Sequence, residues 1–467
     1  VHAEGRGIAA GPTPRERWFG LGVVLVGTMM TALDSTIVNI ALPQIGRALD
    51  AGQNIQWVVT ANLLAVAVSL PAAGWLASRT SAKDLFLVTL AVFSLASFAA
   101  ALAPNLWLLV AARVVQGMCA GVINPISMTI VLDLFPAEER GRAMGVWGLV
   151  AMSAPAVGPT LGGYLVTAVS WHWLFFPNVP LGLLGAFVGR RLLVDSPPRP
   201  RTPLDVRGLL LGASGLALFL FVLAESRRWG WLQTSTLSLF ALSAVLLAAF
   251  VRHALRTTHP LLELRLVRTP TFRVALYLIA LVTVAQYARS VFVPQQFQVL
   301  RGYSALKVGL MLTPSAAATA VSMALGGRLV DRLGARPPIR IGLVCLLLGS
   351  LGNAFLATTT PAWWIALALT VQCAGVGLVM IPATVAGLNA LDDVVLPQAS
   401  TVRSLVNQVA AAVGVAVMFA VVNALLAGAT DPAGRQRAYN TSFQMAAVAV
   451  LVALAVTTRL REPRPTV

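Results

Sequence analysis

Apolar runs of about 20 residues, almost free of charge, recur along this chain from residue 18 to residue 458. A backbone in hydrocarbon must satisfy its own N–H and C=O groups, so runs of this kind cross as α-helices. A soluble α/β or all-β domain is excluded, and the expected fold class is all-α integral membrane. Composition agrees, since only 11% of residues are charged against about 25% in soluble domains. Fourteen spans are predicted, at 18–41, 55–76, 84–103, 106–131, 142–166, 172–189, 207–224, 235–251, 272–298, 305–327, 339–357, 361–386, 399–426 and 440–458.

The basic residues give this count a sidedness. Loops that stay in the cytoplasm are enriched in Lys and Arg. With the N-terminus inside, about 25 of the 34 Lys and Arg fall on the cytoplasmic side, about seven fall outside, and Arg113 and Arg289 lie within spans. Both termini are therefore expected in the cytoplasm. The net charge of +17 then reflects topology and attraction to anionic lipid headgroups, not a nucleic-acid footprint. The first 17 residues carry Arg6, Arg15 and Arg17 but no apolar core, so no cleavable signal is expected.

One internal repeat is legible. The segment Gly74-Trp75-Leu76-Ala77-Ser78-Arg79-Thr80-Ser81-Ala82-Lys83 aligns without gaps on Gly327-Arg328-Leu329-Val330-Asp331-Arg332-Leu333-Gly334-Ala335-Arg336. The two segments follow spans 2 and 10, which makes spans 1–6 and 9–14 equivalent halves and spans 7 and 8 an insertion. The expected organisation is a six-helix bundle in 1–200, two inserted central spans in 201–269 and a second six-helix bundle in 270–467.

Several chemistries are absent. Cys119, Cys345 and Cys373 are odd in number and all fall in spans, so a disulfide framework is not expected. The four histidines lack metal-ligand spacing and there is no phosphate-binding Gly-rich loop, so no metal, cofactor or ATP hydrolysis is expected.

Asp34 is the one carboxylate placed deep in a span. A charge there costs roughly 3 kcal/mol at a helix centre and marks a functional position by default. Asp34 lies about 22 Å along span 1, and Arg113 about 10 Å along span 4 from the opposite face. In a core about 30 Å thick the two share a level and can pair. A neighbouring cation favours the charged carboxylate and desolvation disfavours it, a balance that helix movement can tip. In span 5, Gly158 and Gly162 leave a groove for a neighbouring helix, while Pro159 bends the chain beside Gly163. Polar candidates for a binding pocket are Asn39, Asn62, Gln116, Asn124 and Gln295, followed by Gln296 and Asn407.

These residues resemble a family. The segment Leu33-Asp34-Ser35-Thr36-Ile37-Val38-Asn39-Ile40-Ala41-Leu42-Pro43 fills every fixed position of the first-span motif of the 14-span drug:proton antiporters of the major facilitator superfamily. Arg113-Val114-Val115-Gln116-Gly117 is similar to that family's fourth-span motif, and Gly158-Pro159-Thr160-Leu161-Gly162-Gly163 to its fifth-span antiporter motif. The Trp171 to Gly182 stretch resembles a further family motif, with His172 in place of Arg. The resemblance implies two six-helix bundles with two extra central helices, proton coupling through Asp34 and Arg113, and a hinge at Gly158, Pro159, Gly162 and Gly163. It also implies a cytoplasmic gate at Gly327, Asp331, Arg332 and Gly334. The first half departs from the gate motif, since Ser78 replaces its Asp and Ser81 its second Gly, so no gating role passes to Ser78.

The expected function is proton-coupled export of amphipathic small molecules by alternating access, by a monomer in a bacterial cytoplasmic membrane, with no cofactor. Members of the resembled family that export dicationic drugs use extra intramembrane acids; spans 9–14 hold no mid-membrane carboxylate, so the resemblance implies neutral, anionic or singly charged substrates. An uptake symporter on the same fold and an integral-membrane lipid-modifying enzyme are the alternatives. The Gly158-Pro159 motif disfavours the first, and the lack of clustered acids or histidines near the interface disfavours the second.

Overall fold

A computed structural model describes residues 13–194, 203–230, 233–303 and 305–458. These residues form fourteen α-helices: α1 (Pro14–Ala48), α2 (Trp57–Arg79), α3 (Ala82–Ala101), α4 (Leu106–Leu134), α5 (Arg140–Ala168), α6 (Asn178–Leu192), α7 (Val206–Trp229), α8 (Thr234–Arg256), α9 (Pro270–Arg301), α10 (Ala305–Leu333), α11 (Arg336–Ala354), α12 (Ala362–Asn389), α13 (Leu396–Ala427) and α14 (Pro432–Thr457). Twelve of them are long and apolar enough, over their described residues, to cross a membrane. The other two, α5 and α9, are 29 and 32 residues long.

Polar residues in the short loops start these helices. Thr13 accepts from Glu16 N in a capping box before α1, and Ser81, Asn105, Asp205 and Asp431 cap α3, α4, α7 and α14. Each satisfies a backbone N–H that the helix leaves without a partner. Short connections make consecutive helices antiparallel, so α1 begins at one end of the bundle, hereafter the proximal end, and α5 and α13 begin there too. The expected 172–189 span falls within the apolar segment Trp171–Leu192, but it is not one continuous α-helix. A 3-10 turn at Trp171–Leu174 comes first and the α-helix begins at Asn178, because Pro177 disfavours helical geometry at the residue before it.

Packing repeats between the two sets of six. Helix α2 lies on α4 as α10 lies on α12, α3 on α4 as α11 on α12, and α1 on α5 as α9 on α13. Even a hydrogen bond recurs: Gln116 Nε2 of α4 donates to Ser97 Oγ of α3 at 2.8 Å, and Gln372 Nε2 of α12 to Ser350 Oγ of α11 at 2.9 Å. The inserted pair α7 and α8 packs together and onto α2, where Trp57 stacks on Phe221. The described contacts between the two sets join α5 to α10 and α12, and α13 to α2 and α4.

Candidate functional site

Asp34 on α1 is 5% exposed and Arg113 on α4 is 2% exposed. Arg113 Nη1 donates to Asp34 Oδ2 and also to Gln116 Oε1 at 2.9 Å, while Gln116 Nε2 lies 3.4 Å from Asp34 Oδ1. Arg113 Nε donates to the Val58 carbonyl at 3.3 Å, and Asn62 Nδ2 donates to the Arg113 carbonyl at 3.0 Å. Both charges are thus paired and held by hydrogen bonds from α2 and α4, which buried ions require. The helices approach closely because a Cβ on Gly117 would press into the Asn62 backbone and lie 2.9 Å from Ala65 Cβ. In the second set the register that equates Gln116 with Gln372 puts Leu369 where Arg113 stands. The amide bridge is common to both sets, and the charge belongs to one.

The predicted hinge glycines lie on the α1–α5 contact. A Cβ on Gly158 would meet Thr36 Oγ1, and one on Gly162 would lie 3.1 Å from Ile37 Cγ2. The surroundings of Gly163 and the side chains of Pro159, Asn39, Ser78, Arg289 and Gln295 lie outside the described residues. Of the other pocket candidates, Asn62 and Gln116 are committed to the charge network. Asn124 bonds to the Ala120 carbonyl of its own helix at 3.3 Å, and Asn407 accepts from Thr283 at 2.7 Å. Gln296 is buried with no hydrogen-bond partner among the described residues.

The residues expected to form a gate lie where α10 meets the start of α5, at the proximal end. Asp331 Oδ1 accepts from Gly141 N at 2.8 Å and its Oδ2 from Arg142 N at 2.6 Å, so the α10 carboxylate caps the start of α5. A carboxylate there also complements the positive end of the helix dipole. Gly327 lies against the Gly141 backbone with no room for a Cβ, Gly334 takes a left-handed φ of 77° at the end of α10, and Arg332 is exposed. The corresponding contact in the first set runs through the glycine four residues before Ser78. Gly74 of α2 lies against Pro397 and Gln398 at the start of α13, as Gly327 lies against Gly141. Proline at the position equivalent to Gly141 has no N–H, so the start of α13 offers one backbone donor fewer than the start of α5. Ser81 instead caps α3 from extended geometry, φ −65°, where Gly334 is left-handed.

Sequence reasoning missed two arginines. Arg140 joins the two sets of helices, donating to Asp393 Oδ1 at 3.0 Å and Asn389 Oδ1 at 3.1 Å. Its signal was a basic residue at a helix N-terminus, where the dipole disfavours a cation unless an acid answers it. Arg403 falls inside the predicted 399–426 span without being named beside Arg113 and Arg289 as an intramembrane charge, and it is buried at 8% exposure. Pro397 marks the start of α13, which places Arg403 about 10 Å into the helix.

The Major Facilitator Superfamily family model matches residues 24–415. The multidrug resistance protein Stp of Mycobacterium tuberculosis is 33% identical over 87% of this chain and 76% of its own length. The tetracenomycin C resistance and export protein of Streptomyces glaucescens is 31% identical over 83% of this chain and 75% of its own. An MFS-type transporter of Bacillus subtilis, YcnB, is 29% identical over 97% of this chain and 96% of its own. Among solved structures, a double-tryptophan mutant of XylE superposes with a TM-score of 0.68 at 13% identity, covering 96% of this chain and 97% of that one. The human organic anion transporter MFSD10 superposes at 0.65 with 18% identity, covering 95% and 100%. At such identities these two show the fold alone. With the family match spanning most of its length, the chain belongs to the Major Facilitator Superfamily, and it is a multi-pass membrane transporter rather than an enzyme.

Proposed function

We propose that this transporter exports amphipathic small molecules across a bacterial cytoplasmic membrane in exchange for protons, as a 14-span antiporter of the drug-exporting type. It acts as a monomer, needs no cofactor, and keeps both termini and the proximal end in the cytoplasm. Its halves are 1–200 and 270–467, with 201–269 inserted between them. The observation that carries the reading is the Asp34–Arg113–Gln116 network, a buried carboxylate with one cationic partner that has no counterpart among the described residues of the second set of helices. Export relatives such as the tetracenomycin C protein support the direction of transport.

In this reading the structure is outward-facing, because Asp331, Gly327 and Arg140 hold the proximal end shut. Asp34 takes a proton from the outside when α4 shifts and Arg113 withdraws, since a buried carboxylate without its partner favours the neutral form. The neutral acid lets the halves rock and opens the proximal end. Return of Arg113 releases the proton to the cytoplasm as substrate loads. Each proton moving inward supplies about 2.3 kcal/mol per 100 mV of membrane potential.

The test uses inverted vesicles with an acid interior reported by a quenched dye, and a panel of antibiotics and dyes. Wild-type protein dequenches the dye when a substrate is added. Asp34→Asn keeps the shape and loses the titration, so it abolishes dequenching while substrate counterflow without a gradient survives. Gradient-driven export by Asp34→Asn at the wild-type rate removes Asp34 from the coupling step.

A further inference from the structure

Arg403 is buried where the two halves meet. Its Nε donates to Thr384 Oγ1 of α12 at 3.2 Å and its Nη1 to Met128 Sδ of α4 at 3.4 Å. Those two contacts are equivalent positions. Met128 follows Gln116 by twelve residues and Thr384 follows Gln372 by twelve, so the guanidinium lies between matching points of α4 and α12. That places it on the axis that relates the halves, in the seam through which a molecule passes in alternating access.

Both partners are neutral. A guanidinium carries five N–H donors, and a cation taken from water without a counter-charge is costly. Among the described residues no carboxylate pairs with Arg403, whereas Asp34 already answers Arg113. Further toward the membrane centre by one helical turn stand Asn407 on the same face of α13 and Asn124 on the same face of α4. The seam thus offers an unanswered cation at its proximal end with two amides beyond it.

We propose that Arg403 is a binding residue for an anionic group of the transported molecule, a carboxylate or an acidic phenolate on an apolar body. This rests on the export reading and narrows its substrate class. With the proximal end shut, Met128 and Thr384 cover the guanidinium. When that end opens, a cytoplasmic anion that has passed Arg140 at the mouth meets Arg403 about 10 Å below the α13 terminus. The anion replaces the thioether as acceptor, and the amides at 124 and 407 take neutral polar groups of the same molecule.

The test is equilibrium binding of 1-pyrenebutyrate and of its methyl ester to the purified full chain in nonionic detergent, with protein-free micelles subtracted. Wild-type protein binds the acid more tightly than the ester. Arg403→Gln weakens the acid about tenfold or more and leaves the ester within about twofold, the worth of a hydrogen bond to a charged group. Arg403→Lys keeps part of the preference. Met128→Glu gives the arginine an internal carboxylate and abolishes the preference with the arginine in place, so the inference is tested even where Arg403→Gln does not fold. Equal losses of acid and ester in both variants, or no preference in wild-type protein, overturn the inference. Displacement of the acid by dioctanoyl phosphatidylglycerol but not by excess 2-naphthoate assigns Arg403 to a lipid phosphate and also overturns it. No gradient is involved, so failure here leaves proton coupling standing, and failure of coupling leaves this binding result intact.

Discussion

Gln116 reaches Ser97 at 2.8 Å and Asp34 at 3.4 Å, and its counterpart Gln372 reaches Ser350 at 2.9 Å with no acid nearby in the register. The pair therefore separates packing from the proposed coupling within one molecule. Gln116→Ala and Gln372→Ala each leave a buried hydroxyl with one partner fewer, a loss of about 1 kcal/mol or somewhat more in thermal unfolding. The Gln116 variant alone should also shift the pH dependence of gradient-driven transport, since it alone removes hydrogen bonds to Asp34 and Arg113. A matching shift from Gln372→Ala would show that the amide acts through general packing. Asp34 and Arg113 were legible in the sequence because a charge stands out in an apolar run and helical rise fixes its depth. Arg403 was not, because it falls near the edge of its run, where a loop charge and a buried one look alike until the helix start is placed.

At the proximal end, the Asp331 cap and the Gly327 contact both hold α10 to the start of α5, by different means. Asp331→Asn keeps one acceptor and loses the charge on the helix dipole, a change of about 0.5–1 kcal/mol. Gly327→Val forces a side chain into the Gly141 backbone and should open the end further. Alkylation of a cysteine placed at Ile381, with Cys119, Cys345 and Cys373 replaced, should rise from wild type to Asp331→Asn to Gly327→Val. Ser78→Asp should lower labelling by less than Asp331→Asn raises it, because Pro397 withholds the second donor; equal and opposite effects would reject that account. The inserted pair is fixed differently. Asp205 caps α7 and joins it to the linker after α8, accepting from Gly208 N at 2.8 Å and Leu261 N at 3.2 Å, with His253 Nε2 at 2.7 Å. Burial raises the pKa of this carboxyl, but the hydrogen bonds from Gly208, His253 and Leu261 together outweigh burial and hold it below the ordinary value. A lowered pKa stabilises above the unfolded value near 4 and loses that stabilisation as pH falls through the folded value. Proteolysis of the 257–268 linker should therefore stay slow from pH 7 to about 4 and accelerate below, while Asp205→Asn should make it fast at pH 7. The gate motif showed the first contact in sequence; the second, between residues 205 and 261, carries no local signature.

The order of helices across the whole molecule was readable because hydrocarbon leaves few choices, and the repeat around residues 74 and 327 already paired the halves. What the pattern could not give was which turns of equivalent helices meet, since that depends on glycines such as Gly117 and Gly377 admitting a neighbouring backbone. Sidedness and span count remain linked. Helix α5 touches α10 through Gly141 at the proximal end and α1 through Gly158 and Gly162 toward the other, so it runs the depth of the bundle. Its neighbours α4 and α6 then run parallel to each other, and α9 stands in the same relation to α8 and α10. Fourteen crossings with the basic loops inside place fusions after Arg199 and Arg265 in the cytoplasm, and fusions after Ser170, Arg228 and Tyr303 outside. A paired alkaline phosphatase and green fluorescent protein reporter series measures each position. A cytoplasmic result at Ser170 would mean that α5 turns back within the membrane, which would invert every later helix and put the Arg-rich 252–273 loop outside. A cytoplasmic result at Arg228 alone would instead remove α7 and α8 as crossings, leave the two halves in register, and reduce the count to twelve.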